Sequence, residues 1–492
     1  MARRHAQGTY TTMIPTEPMS AAGTLGTFLI SLIVIGAIIA MVVQTPKLVA
    51  FGFLGLIFLF ADSTYGSLTV ESNLYSRGSG IFYFSLINLS LLVAGFAVLC
   101  KKLANPGTPQ LAPPVSKYGL AMAFLLLCHL VVGLMSGIAP NVILGYSGVI
   151  NILNMFVLMY IVIEAVKNEE DQQQLLLVII GLAAVRAVFG LVRYAFFGGD
   201  SANPYKNFDN LDIKLAFFDI GDNFICSIGA FCAAWLLTSP HARMSAMKRL
   251  AVFGLLVLQV AAVGLSFRRS SLIGLALMFA LLVFRLPGRQ RVIVILFATG
   301  FITAILAVFF RQRLQYAAGD SGGGILSSLV FDIARDNVED SRFYELYAAA
   351  QSLGGNWLIG LGSWGTFSGD EELLFYHYGK MDFIHSGFGH IVLKTGVIGL
   401  VLFCGMLLAY TAHYFRTRKY LSGNALLISD AGFAGLLFWI PTLLIGTPII
   451  EFRTMLLIGL TLAMPFVAAR VESHRPRVHT GYQTHYAPAQ AA

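Results

Sequence analysis

Apolar residues run along this chain in long blocks from Gly26 to Ala468, separated by short polar stretches. The blocks predict membrane spans near residues 24–43, 47–61, 81–100, 118–136, 142–166, 174–198, 220–238, 249–266, 271–286, 291–311, 385–412, 425–441 and 449–469. Most approach the ~20 residues that a helix needs to cross the hydrocarbon core of a bilayer. Within that core every backbone N–H and C=O must find its partner inside the protein, so the runs predict helices rather than loops or open sheet. The two-residue alternation of a membrane barrel is absent, which removes an outer-membrane reading. The fold class that follows is all-α: a polytopic transmembrane helical bundle.

Composition agrees with the pattern. The chain has 492 residues, of which 57% are hydrophobic and 12% charged. Its mean hydropathy of +0.74 would leave a soluble protein with far too much apolar surface in water. The net charge of +8 is a topology signal, because the basic residues sit in short loops and form no continuous groove for nucleic acid. Taking His413–Tyr420 as cytoplasmic puts Arg285, Arg289, Arg291, Arg243–Arg249, the Lys167–Gln174 loop and the Lys101–Lys117 loop inside as well. The acidic stretch Asp200–Asp219 and the long stretch 312–384 then fall outside.

Thirteen crossings with the C-terminus inside would place Arg3 and Arg4 outside, against the positive-inside rule. About twelve crossings with both ends inside remove the conflict, with 47–61 short of a full crossing or two spans miscounted elsewhere. The expected organisation is a cytoplasmic tail 1–23, a transmembrane bundle 24–311, one large extracytoplasmic loop 312–384, C-terminal spans 385–469 and a cytoplasmic tail 470–492. No small-residue cleavage site follows the first span, so it reads as an uncleaved anchor.

Charges within spans are costly, so they mark the places to look for chemistry. Arg268 and Arg269 occupy a short break between two apolar runs, on the outer side by this topology. They are either snorkelling interfacial residues or an anion clamp, since guanidinium forks match phosphate oxygens. Arg342 opens a predicted loop helix 342–353, where Asp340 and Glu345 are its nearest potential ion partners. His385 opens the next span, and a histidine can accept a proton near neutral pH. His377 and His390 are further candidates, but neither has a carboxylate cluster at ligand spacing; no metal and no cofactor are expected.

Arg186 and Arg193 lie seven apart on one helix face. Arg193 would reach an outer phosphate site; Arg186 would bind substrate or pair with a buried carboxylate such as Glu451. Lys394, Glu451 and Arg453 are further intramembrane charges. The string Gly360-Leu-Gly-Ser-Trp-Gly365 follows no βαβ unit and reads as a tight turn returning the loop to the membrane face. All five cysteines sit in apolar segments and read as small core residues rather than a disulfide framework.

Three segments, in order, resemble the bacterial O-antigen ligase and polymerase superfamily of membrane glycosyltransferases. They are Arg269-Ser-Ser-Leu-Ile273; Ser341-Arg342 with its helix and the following Asn356–Phe367; and His385-Ser386 followed by Lys394-Thr-Gly396-Val-Ile-Gly399. The doubled arginine offers either Arg268 or Arg269 as the family's counterpart. Lys394 departs from the pattern, standing where a glutamate is common. The resemblance implies glycan transfer from a polyprenyl-diphosphate carrier at the outer face of the bacterial inner membrane. The acceptor it implies is a lipid A-core hydroxyl in a ligase, another lipid-linked repeat in a polymerase, or a protein in some relatives. Membrane lipids and polysaccharide-assembly proteins are the accompanying partners; nucleic acid is not.

On this reading Arg269 and Arg342 stabilise the departing diphosphate. His385 deprotonates the attacking hydroxyl, and the anomeric carbon inverts. Arg268, Arg193 and Arg186 would bind substrate. A lipid-linked saccharide transporter or flippase is the rival, using the same arginines with alternating access, although no inverted pair of broken helices is evident.

Overall fold

The computed structural model describes residues 33–61, 85–104, 113–200, 214–303, 342–369 and 380–473, apart from short gaps inside those ranges. The tail 1–23, the tail beyond Ser473, His377, most of the predicted runs 24–43 and 291–311 and most of the stretch 312–384 therefore lie outside the described residues. The architecture is all-α. Helices α1 (Pro46–Leu59), α2 (Leu86–Ala104), α3 (Ser116–Met135), a single turn α4 (Pro140–Ile143) and α5 (Ile150–Ala165) come first. Then follow α6 (Glu169–Phe196), α7 (Ile220–Thr238), α8 (Ala246–Gly264) and α9 (Arg269–Val283). After the partly described stretch come α10 (Arg342–Leu353), a two-stranded ladder, and the last helices α11 (Gly387–Arg418), α12 (Gly423–Ile445) and α13 (Phe452–Ser473). In the ladder Phe367 pairs with Met381 and Ser368 with Lys380, antiparallel.

Eight of the described helices are long and apolar enough to cross a membrane; α1, α5 and α9 are shorter apolar helices. The apolar run read as one span over 142–166 is broken into α4 and α5 by a turn in which Gly148 donates to the Gly145 carbonyl at 2.9 Å. Ser363, from the segment after α10, fills the space beside Gly148.

Helices α7, α12 and α13 are apolar all round and mostly buried, so they form the centre of the bundle. Lipid offers helices no hydrophobic drive to associate, and close backbone approach at small residues supplies the packing instead. A Cβ at Gly459 of α13 would stand 2.5 Å from the Met155 carbonyl of α5, and one at Gly432 of α12 would stand 2.8 Å from Met464 Cβ of α13.

The two ends of the bundle differ. At one end, Asp430 near the start of α12 gathers Arg285, Arg418 Nε at 3.2 Å, the Tyr414 hydroxyl at 3.1 Å and Trp235 Nε1 at 3.3 Å. These come from beyond the C-terminus of α9, from the C-terminal part of α11 and from α7. Their basic residues are among those that the sequence reading takes as cytoplasmic. At the other end stand the start of α9, with Arg268 and Arg269, and the start of α11, just after His385. Both starts flank the last turns of α12. Gly274 of α9 abuts Phe438, and Gly387 of α11 abuts Leu443. Arg269 is five residues outward from Gly274, as Leu443 is from Phe438, so Arg269 and Gly387 come to the same level.

Candidate functional site

The site end is built around a break in α11. Gly396 has φ +65°, ψ −166°, conformations open to glycine and strained for other residues. A break in a membrane helix frees backbone groups that lipid cannot satisfy. Here the glycine turn after α10 satisfies them. Leu361 N–H donates to the Leu393 carbonyl at 2.8 Å and Gly362 N–H to the Lys394 carbonyl at 3.0 Å. In return Val397 N–H donates to the Trp357 carbonyl at 2.8 Å and Ile398 N–H to the Leu358 carbonyl at 3.2 Å. The buried Lys394 completes the clasp, its ammonium donating to the Gly365 carbonyl at 2.6 Å. The string Gly360–Gly365 is thus a tight turn seated on a membrane helix.

This clasp carries a measurable consequence. A Cβ at Gly396 would lie 2.3 Å from the carbonyl carbon and oxygen of Leu358. Gly396→Val is expected to cost at least about 1–3 kcal/mol from backbone strain alone and to displace the turn. A thermal midpoint in detergent equal to that of the unsubstituted protein would contradict the clasp.

Helix α10 is held on the other side of the same junction. Ala348 and Ala349 pack with Phe367, Met381, Ile384 and Leu393 in a small core of their own. Leu346 Cδ2 lies where a Cβ of Gly389 would approach to 2.6 Å. Glu345, in the first turn of α10, meets the start of α11. Its Oε2 accepts from the His385 backbone N–H at 2.8 Å, and its Oε1 lies 2.7 Å from His385 Nδ1. Ser386 caps α11, its hydroxyl accepting from Gly389 N–H at 3.2 Å. His385 therefore sits just before the helix, 39% exposed at its side chain, with the edge of Phe383 against its ring. Arg342 is three residues ahead of Glu345 on α10, one helical turn away.

The remaining arginines belong to a buried network on the same side. Arg186 Nε and Nη2 donate to both oxygens of Asp222 at 2.8 Å, and its Nη1 to the Leu59 carbonyl at 2.9 Å. Arg453 donates to Asp222 at 2.6 Å, to Asp219 at 2.7 Å and to the Ile57 carbonyl at 2.6 Å. Arg193 pairs with Asp200 at 3.0 Å and also reaches the Ala216 carbonyl. Asp200 accepts from Phe218 N–H at 2.9 Å, and the Phe218 carbonyl accepts from Arg268 Nη1 at 2.6 Å. The Arg268 guanidinium also lies over the Phe218 ring, 4.6 Å from its centroid.

The geometry corrects two parts of the sequence reading. The buried carboxylate partner of Arg186 is Asp222, on the neighbouring helix α7, and Glu451 instead accepts from the Thr454 hydroxyl. Glu345 engages His385, so it is more than a surface partner for Arg342. Arg186 and Arg193, read from the sequence as substrate-binding, both have guanidinium groups buried against aspartates. The signal for Asp222 was present in the sequence: a carboxylate inside an apolar run demands a cation.

The fold and this end of the bundle define a multi-pass helical membrane protein with a histidine–carboxylate pair and an arginine break at one face. Residues 254–404 match the family model described as O-Antigen ligase, which places that segment in the O-antigen ligase and polymerase superfamily. The matched segment holds Arg268, Arg269, Arg342, His385 and Lys394, whereas Arg186 and Arg193 precede it. No curated protein matches the chain.

Proposed function

We propose that this protein is an inner-membrane glycosyltransferase that moves a glycan from a polyprenyl-diphosphate carrier to an acceptor hydroxyl, as an O-antigen ligase or a surface-polysaccharide polymerase. The observation that carries the reading is the contact between Glu345 and His385, which ties the helix begun by Arg342 to the histidine. Arg269 supports it from the same end of the bundle, across the last turns of α12.

In the proposed reaction the acceptor oxygen bonds to the anomeric carbon as the C–O bond to the diphosphate breaks from the opposite face, inverting the centre. The bond's electrons leave with the diphosphate. Arg269 and Arg342 stabilise the negative charge that develops there, a role fixed cations perform far better in a water-poor site than in bulk water. Arg268 holds the segment before α7 and borders the diphosphate. His385 takes the acceptor proton. The proposal includes about twelve crossings with both ends in the cytoplasm and an active site facing the periplasm within the stretch 312–384 and the adjoining helix starts.

Purified protein in liposomes, with lipid-diphosphate-linked oligosaccharide on one side together with acceptor, tests the reading. Covalent product supports a transferase. Movement of the donor across the bilayer without product would replace it with a transporter.

A further inference from the structure

We propose that Glu345 is a positioning residue that fixes the tautomer and orientation of the His385 imidazole, an inference that rests on the glycosyl-transfer reading above. The carboxylate makes two kinds of contact with one residue. Oε2 accepts from the His385 backbone N–H at 2.8 Å, while Oε1 and Oε2 lie 2.7 and 3.0 Å from Nδ1. An ionised carboxylate only accepts hydrogen bonds, so Nδ1 carries the proton and donates it. The neutral ring then has its lone pair on Nε2, turned away from Glu345. Among the described residues no hydrogen bond engages Nε2.

The backbone contact matters as much as the ring contact. It anchors the carboxylate to the same residue whose ring it orients, so the ring direction follows the placement of α10. That helix is held by the small core around Ala348 and Ala349 and by Leu346 against Gly389. In a step that removes a proton from the acceptor hydroxyl, the proton goes to Nε2 and the Nδ1 proton stays where it is. The resulting imidazolium faces a fixed negative charge, and it returns its proton to solvent after the glycan has moved. The same helix begins with Arg342, so the group proposed to receive the leaving charge and the group orienting the base are one turn apart on one rigid element.

The full-length protein labelled with ¹⁵N-histidine provides a readout that needs no substrate. Above the titration range, the resonance assigned by its loss in His385→Ala is expected to report a protonated Nδ1 and a bare Nε2. In Glu345→Ala it should shift to a mixture of tautomers. A protonated Nε2 in the unsubstituted protein, or an unchanged resonance in Glu345→Ala, overturns the proposal.

Kinetics provide the second arm, using lipid-diphosphate-linked oligosaccharide as donor. Glu345→Gln should lower kcat about 10- to 100-fold, the scale of losing a hydrogen bond to a charged group. Donor KM should stay within about twofold, and the substitution should add nothing in the His385→Ala background. A purely structural role would lower the thermal midpoint and cost further activity in that background, which would overturn the proposal. Full activity in Glu345→Gln overturns positioning alone. Full activity in His385→Ala overturns the base role beneath it.

Discussion

Alanine in place of Asp222 is expected to destabilise the protein by about 3–5 kcal/mol, the usual cost of stranding a buried charge by removing its partner. The side chain is fully buried and receives three hydrogen bonds, two from Arg186 and one from Arg453. Arg453 is itself fully buried and keeps only Asp219 among its carboxylate partners once Asp222 is gone. Arg186 keeps only the Leu59 carbonyl among the contacts described above. Losing one carboxylate from beneath two buried guanidinium groups leaves an excess of positive charge that must draw in water or pull the helices apart.

The measurement is the thermal midpoint and the monodisperse fraction in mild detergent. Arg186→Ala should cost less than Asp222→Ala, because Asp222 then retains Arg453. An equal midpoint for Asp222→Ala and the unsubstituted protein would show that the network contributes nothing.

Arg269→Ala and His385→Ala are expected to lower transfer by about 10²–10³-fold while leaving the fold intact, the scale of removing one preorganised electrostatic donor from a reaction centre. Both side chains are partly exposed at the end of the bundle, so the thermal midpoint should move much less than in Asp222→Ala. Arg268→Ala should behave differently. Its guanidinium supports the Phe218 carbonyl, which lies between the Arg193–Asp200 pair and the start of α7. Stability should fall along with rate in that variant. If Arg268→Ala removes transfer at unchanged stability while Arg269→Ala does not, the doubled arginine has been assigned the wrong way round.

Much of this arrangement was legible along the chain. Apart from 142–166, the apolar runs between 47 and 286 and between 385 and 469 match described helices closely, and the helix predicted over 342–353 is α10 itself. The failures have physical causes. The run over 142–166 is continuous in hydropathy, but a glycine turn splits it to seat Ser363, more than two hundred residues later. Hydropathy averages over such a turn because it is short and carries no charge. Glu345 was visible only as a neighbour of Arg342, since a contact between residues 40 positions apart leaves no local pattern.

Hydropathy and charge placement by themselves determine that this is an α-helical membrane protein and which arginines and histidine are worth attention. They do so because burying backbone and charge in lipid is costly at every position, whatever lies nearby. Only the tertiary structure decides which charges neutralise one another. It sorts Arg186, Arg193 and Arg453 into buried pairs with Asp222, Asp200 and Asp219, and it brings Glu345 to His385. Partner choice depends on distances of a few ångströms between separate helices, and those are set by packing rather than by order along the chain.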